Sequence, residues 1–273
     1  MFFSVTPNSA KVPESRGFSL VTGAAAGIGR EFAQALAAKN RSLVLIDRAE
    51  QPLRELAERI ARTSGVQVHW LAQDLGSTDG PQRVFDFCQQ RNVAVDLLIN
   101  NAAVGVHAPL EDQPTGRIEE MVRVNILSVV GLTQLFLKEM KRRGHGTIVN
   151  LSSAGIFDPC PEWSVYAATK AFVLHFTESL QREVSGTGVD VVALCPGMTS
   201  TTFFEKAGHE VPREEQVQSA HDVVAEALRG LEQHQPLIVT GRLNRLKVQA
   251  QRANLRRLLS GVKRGLRRVA VFS

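Results

Sequence analysis

The sequence predicts a doubly wound α/β domain: a seven-stranded parallel sheet of Rossmann type with helices on both faces. Three observations predict it. Short runs rich in Val, Ile and Leu recur along the chain, longer amphipathic stretches separate them, and the first run empties into a glycine-rich turn. Strands buried on both faces lose the polar–apolar alternation of half-exposed strands, and their regular exchange with helices gives a parallel sheet.

In chain order the strands are "FSLVTG" (18–23), "RSLVLID" (41–47), "VQVHWLAQD" (66–74), "VDLLINN" (95–101), "GTIVNLSS" (146–153), "VDVVALCPG" (189–197) and "PLIVTG" (236–241). Helix-length stretches lie near 27–39, 51–64, 77–91, 114–143, 162–186 and 219–234. No repeat, linker or low-complexity block interrupts them. One domain is therefore expected over 18–241, with an N-terminal extension (1–17) read as loosely ordered and a basic C-terminal segment (242–273).

Composition excludes several classes. A chain of 273 residues, 44% hydrophobic and 22% charged, is that of an ordinary soluble globular protein. No apolar run approaches the ~18 residues of a membrane span, and the N-terminus lacks the basic start and apolar core of a signal peptide. Cys88, Cys160 and Cys195 are odd in number, widely spaced and without metal-ligand pattern, so free thiols in a reducing, cytoplasmic compartment and no metal are expected. The net charge of +5 is uneven: residues 233–273 hold ten Arg or Lys and no acid, leaving the rest with 22 basic against 27 acidic residues.

The turn after the first strand reads "TGAAAGIG" (22–29). Gly23 permits a tight turn, Gly27 lets backbone approach a pyrophosphate, and Gly29 lets the helix pack close to the sheet. Amides at the helix N-terminus then face phosphates. The spacing G-x-x-x-G-x-G departs from the commoner G-x-G-x-x-G. The next strand ends in Asp47, a carboxylate suited to the ribose hydroxyls of NAD(H) and repellent to a 2′-phosphate, whereas the adjacent Arg48 suits NADP(H). The carboxylate favours NAD.

"SVYAATKAF" (164–172) contains the chain's only tyrosine. On a helix, Tyr166 and Lys170 share a face at i and i+4. An ammonium beside a phenol favours the phenolate, which predicts a lowered Tyr166 pKa and proton exchange with an alcohol or carbonyl oxygen near neutral pH.

Taken together, these motifs resemble the short-chain dehydrogenase/reductase family, in its single-domain branch, from about Phe18 to Gly241. "TGAAAGIG" is similar to its cofactor loop, bringing in Thr22 and Ile28. Asp74–Leu75 resembles its adenine contact, and "NNAA" (100–103), with Asn101 and Ala102, its N-N-A-G motif with Ala103 for glycine. Asn125, Ser153, Tyr166 and Lys170 stand where the family keeps its Asn-Ser-Tyr-Lys tetrad. "CPGMTST" (195–201) resembles the motif around the nicotinamide carboxamide, bringing in Pro196, Gly197, Thr199 and Thr201. The resemblance implies that Ser153 orients the substrate oxygen and Tyr166 is the acid or base. It further implies that Lys170 holds the nicotinamide ribose and that Asn125 anchors a water. Ser153, 13 residues before Tyr166, fits the family spacing better than Ser152, and alternation along the strand sends the two side chains to opposite faces.

The activity so implied is NAD-dependent interconversion of a secondary alcohol and a ketone on a hydrophobic small molecule. An NADPH-dependent ketoreductase is the alternative, and a cofactor-binding sensor or scaffold a more distant one. Pocket candidates by family position are the loop from Val104 to Leu110, the segment 154–163 and a lid from Met198 to about Arg213, which supply Ile156, Phe157, Pro159, Trp163, Met198, Phe203 and Phe204, with His107 in the first of these loops. The family's relatives imply a homodimer or homotetramer built on the stretches 114–143 and 162–186. In the tail, Leu255, Leu258, Leu259, Val262, Leu266 and Val269 follow helical spacing, with arginines and lysines on the other face. That segment suits packing on the body or a second subunit, an anionic membrane surface, or an acidic partner such as an acyl carrier protein. Nucleic acid is not expected, because no stacking aromatics accompany the arginines.

Overall fold

The computed structural model describes residues 4–5, 17–209 and 217–251. Its strands are β1 (Ser4–Val5), β2 (Phe18–Thr22), β3 (Leu43–Asp47), β4 (Val68–Ala72), β5 (Val95–Asn100), β6 (Gly146–Leu151), β7 (Val189–Cys195), β8 (Thr199–Ser200), β9 (Gln218–Ser219) and β10 (Leu237–Val239). The main sheet runs in the order β1-β4-β3-β2-β5-β6-β7-β10, while β8 and β9 pair separately. All seven expected strands form and lie parallel. An eighth is added at the edge. Ser4–Val5, within the expected extension, pairs antiparallel with Val68–His69.

The strands carry side chains to both faces, which is why their sequences are apolar throughout. In β3, Leu43 and Leu45 enter one core cluster and Val44 and Ile46 the other. The first cluster is closed by α1 (Gly27–Ala38), α2 (Glu50–Ser64) and α8 (Ala220–Glu232) through Phe32, Leu53, Leu56 and Val224. The second is closed by α3 (Gly80–Gln90), α5 (Ser128–Arg143) and α6 (Ser164–Glu183) through Phe87, Phe136, Met140 and Leu180.

The expected helix near 114–143 is continuous but not regular. It comprises α4 (Thr115–Val122), a π-helical turn over Arg123–Leu127, and α5. By length and composition Thr115–Arg143 could cross a membrane, yet its Leu132, Phe136 and Met140 pack against the sheet. The fold uses it as a core helix.

Strand order reverses between β2 and β5, because the chain moves outward through β3 and β4 before returning. At such a switch point the loops leave the carboxyl ends of neighbouring strands in opposite directions and open a crevice. Gly23 and Asn101, which follow β2 and β5, stand on its two sides.

Candidate active site

The crevice is a cavity of about 380 Å³ that runs from Asp47 and Asp74 at one end to Tyr166 and Phe203 at the other. Of the residues predicted for catalysis and cofactor binding, Thr22, Gly29 and Asn125 do not line it; the others do.

At the first end the backbone is tightly built. Gly23 has φ +64°, and a Cβ there would lie 2.8 Å from Asn101 Nδ2 and 2.9 Å from Ala102 Cα. A Cβ on Gly29 would lie 2.2 Å from Gly23 O, so only glycine lets the first turn of α1 sit against the loop. Thr22 works from below: its hydroxyl accepts from the amides of Asn101 and Ala102, each at 3.0 Å. Asn101 returns a hydrogen bond to Thr22 O at 2.8 Å. Ala26, at the N-cap of α1, offers no side-chain cap, which leaves the positive end of the helix open towards the cavity. Gly27 (φ +52°) faces the opposite wall, where a Cβ would meet Thr201 Cγ2 at 3.0 Å.

Asp47 fixes the next position. One oxygen accepts from Ala25 N and the other from Ala49 N, both at 3.0 Å. Arg48 Nη1 instead reaches Glu120 of α4 at 2.7 Å. Asp74 accepts from Gly76 N at 2.9 Å, and Leu75 is buried. A glycine cradle, an uncapped helix end and a carboxylate at the tip of β3 together fit a nicotinamide dinucleotide.

At the other end, α6 and the end of β6 bring three polar groups together. The Ser153 hydroxyl is hydrogen-bonded to the Tyr166 phenol and also accepts from Gly155 N at 3.1 Å. Ser152 points the other way and donates to Lys170 O at 2.7 Å. Lys170 is buried, its Nζ donating to Leu151 O at 3.0 Å and lying 5.9 Å from the centroid of the Tyr166 ring. Burial sets the pKa values here. It raises the phenol well above its usual range, the bond to Ser153 pulling back only partly, and lowers Lys170 to about 8. The lowered phenol expected from the Tyr-Lys spacing is therefore not found: desolvation outweighs a lysine that is itself desolvated and turned to a carbonyl.

Asn125 sits in the π turn, fully buried. Its Oδ1 accepts from Val104 N at 2.9 Å, and its Nδ2 donates to Val104 O at 2.9 Å and Thr169 Oγ1 at 3.0 Å. Thr169 Oγ1 donates in turn to Tyr166 O at 2.7 Å. Asn125 thus clamps the loop after β5 to α6, one step behind the cavity wall. On the far wall Pro196 O accepts from Ala154 N at 2.8 Å. Thr199 Oγ1 donates to Gly197 O at 2.9 Å, and Thr201 caps α7 (Thr202–Lys206) by accepting from Phe203 N at 3.3 Å.

Aromatic rings cover the tyrosine. Trp163 and Phe203 each lie 5.3 Å from Tyr166, centroid to centroid. Phe204 lies 5.9 Å from Trp163. Ile156 and Met198 complete the apolar lining. Two expected pocket residues do not contribute: Phe157 packs against the core cluster of Leu174, Ala193 and Val248, and Pro159 is exposed. His107 stands behind the rings, bonded to Glu162 at 2.8 Å and 4.4 Å from the His209 ring. Sequence reasoning placed Gly105 within the expected pocket loop but missed its packing: a Cβ there would meet Phe203 Cζ at 2.8 Å and Trp163 Cζ3 at 3.1 Å. A single glycine in a loop carries no periodic signal.

It also missed the brace behind the loop at 154–158. The helical stretch 242–251 folds back on the body. Val248 is buried beside Ala154, Ile156 and Phe157. Gln251 Nε2 donates to Phe157 O and Asp158 Oδ1, both at 2.9 Å. Arg245 pairs with Glu226. The leucine and arginine pattern of the tail proper lies outside the described residues.

Comparison with known proteins gives a consistent result. The family model described as short chain dehydrogenase matches residues 18–212. An uncharacterized oxidoreductase of Staphylococcus epidermidis is 31% identical over 219 residues, covering 80% of this chain and 93% of that protein. The mouse 17-beta-hydroxysteroid dehydrogenase type 3 is 31% identical over 216 residues, covering 78% and 68%. Among solved structures, a short-chain dehydrogenase from Sphingobium yanoikuyae in complex with NADPH superposes with a TM-score of 0.83 at 30% identity, covering 89% of this chain and 95% of that one.

Proposed function

The chain belongs to the short-chain dehydrogenase family and is an oxidoreductase of the alcohol–carbonyl class that uses NAD(P), and from that premise we propose that it interconverts a secondary alcohol and a ketone on a hydrophobic skeleton, with NAD as the preferred cofactor. The observation that carries the proposal is the meeting of Ser153, Tyr166 and Lys170 at the apolar end of a cavity whose other end is the glycine loop and Asp47.

When bound, the nicotinamide group accepts or supplies hydride; the remaining work belongs to the side chains. Ser153 holds the substrate oxygen beside the phenol. Tyr166 takes the proton of the alcohol oxygen in oxidation and returns it to the carbonyl oxygen in reduction. Lys170, lowered by burial to about 8, would donate to the ribose hydroxyls of a bound cofactor and, while protonated, would favour a phenolate at Tyr166. Asn125, with both amide hydrogens engaged, retains only acceptor capacity for the water that the resemblance assigns to it. The amides at the start of α1 and the residues Pro196 to Thr201 would hold the pyrophosphate and carboxamide.

Asp47 supports NAD, since its position at the tip of β3 suits ribose hydroxyls and opposes a 2′-phosphate. The rings of Trp163, Phe203 and Phe204 support an apolar substrate, and the relative named as a 17-beta-hydroxysteroid dehydrogenase is in keeping with one of steroid-like bulk. A homo-oligomer built on the helical stretches 114–143 and 162–186 is supported by exposed Leu127 in the π turn and Phe172 in α6, the latter stacked on Phe176.

The test is titration with NADH and NADPH followed by quenching of Trp163, then a screen of hydrophobic secondary alcohols for NAD reduction. Tight NADH with weak NADPH is the expected result. The reverse would favour the second reading, an NADPH-dependent ketoreductase, to which Arg48 and the NADPH-bound relative point. Binding of neither would leave a scaffold.

A further inference from the structure

Besides Asp47 and Asp74, the cofactor end of the cavity is lined by two arginines that share one carboxylate outside the lining. Arg48 and Arg117 both line the cavity, as does Asp47. Both arginines are tied to one residue, Glu120 of α4: Arg48 Nη1 meets Oε1 at 2.7 Å, and Arg117 bonds Oε2. Glu120 is the least exposed of the three, its side chain 23% accessible against 57% for Arg48 and 37% for Arg117. The carboxylate is thus the fixed centre of the cluster, and the guanidiniums are drawn to it from the cavity side.

An arginine directly after the β3 carboxylate is a natural partner for a ribose 2′-phosphate, which prefers a bidentate guanidinium. Here that guanidinium already has an anion. With Glu120 present, three carboxylates (Asp47, Asp74 and Glu120) outnumber two guanidiniums at this end; without it, the charges balance and both guanidiniums are free to meet an anion beside the ribose position. We infer that Glu120 is a specificity-determining residue for the cofactor: by holding Arg48 and Arg117 it withholds them from a 2′-phosphate, so that the preference for NAD rests on Glu120 as well as on Asp47. This inference rests on the NAD reading given above. It extends that reading to a residue 72 positions from Arg48 in sequence, on a different element.

The test compares wild type, Glu120→Gln, and Glu120→Gln combined with Arg48→Gln by fluorescence titration with NADH and NADPH at low and high salt. Glutamine keeps the side chain's size and its place on a half-exposed helix face. Expected is a gain of about tenfold in NADPH affinity for Glu120→Gln with NADH affinity little changed. That gain should shrink at high salt, because the groups are partly exposed, and should vanish in the double variant. Wild type that prefers NADH beside a Glu120→Gln variant with unaltered NADPH affinity would overturn this inference alone. Equal wild-type affinities for the two cofactors would overturn both it and the NAD reading. A parallel loss of both cofactors in Glu120→Gln would show a merely structural role and overturn it too.

Discussion

Ser152 and Ser153 are sequence neighbours that serve opposite sides of the same strand end. Ser152 Oγ donates to Lys170 O at 2.7 Å inside the protein, whereas the Ser153 hydroxyl meets the Tyr166 phenol in the cavity. The alternation of side chains along an extended backbone separates a structural serine from one placed for chemistry.

The pair predicts a clean division. Ser153→Ala should lower kcat by about 10²-fold or more while leaving the unfolding midpoint nearly unchanged. Ser152→Ala should instead cost about 1–2 kcal/mol of stability, since it removes a buried hydrogen bond, with turnover largely kept. Denaturant unfolding and steady-state kinetics on both variants check this; equal kinetic losses would contradict it.

Tyr166→Phe deletes only the phenol oxygen. The ring contacts with Trp163 and Phe203 remain, so cofactor affinity and melting temperature should hold while turnover falls by about 10²–10⁴-fold. A variant that keeps most of its activity would remove the tyrosine from the mechanism.

Lys170 should leave a signature in the pH dependence of stability. Its pKa is about 8 in the folded protein against an ordinary 10.5, so above pH 8 the unfolded chain binds the extra proton and stability rises with pH. The full difference is of the order of 3 kcal/mol. Tyr166 and Cys88 are both raised by burial and work in the opposite direction, but only as pH passes the ordinary thiol and phenol ranges. Between pH 8 and 9 wild type should therefore gain stability relative to Lys170→Met. Denaturant unfolding of the two proteins without cofactor across that interval measures it, and parallel curves would refute it.

Gly105 should govern the size of the substrate. In Gly105→Ala the new methyl meets Phe203 and Trp163 and pushes the rings inward. KM for bulky alcohols should rise several-fold with kcat little affected, and Phe203→Ala in the same chain should restore it. Failure of the second change to rescue would place the effect elsewhere.

The C-terminal region should divide at residue 251. Removing 252–273 leaves Val248 and Gln251 in place and should spare turnover. Removing 242–273 exposes the apolar patch around Phe157 and frees the loop at 154–158, and should lower the melting temperature and raise KM. Equal behaviour of the two truncations would show that the brace is not needed.

What the sequence disclosed and what it concealed follow from the range of the interactions involved. The seven strands were legible because burial on both faces forces continuous apolar runs, as in "LVLID". The glycine loop and the residues Asn125, Ser153, Tyr166 and Lys170 could be proposed as a site because each motif is local and they occur in order. The two-residue strand Ser4–Val5 is too short for any period, and the π turn at Arg123–Leu127 interrupts an otherwise ordinary helical pattern without a proline or glycine to mark it. Phe157 was expected in the pocket from its family position, but the helical stretch at 242–251 offers it a core to join. The pairing of Arg48 with Glu120 and the depressed pKa of Lys170 are products of tertiary packing, and no spacing along the chain encodes them.

The brace by residues 242–251 also means that the cavity's two ends draw on distant stretches of the chain. The glycine loop lies directly after β2, whereas Gln251 stands 94 positions after the Phe157 carbonyl it holds. The wall of the substrate end is thus tied to a segment that contributes nothing to the lining of the cofactor end.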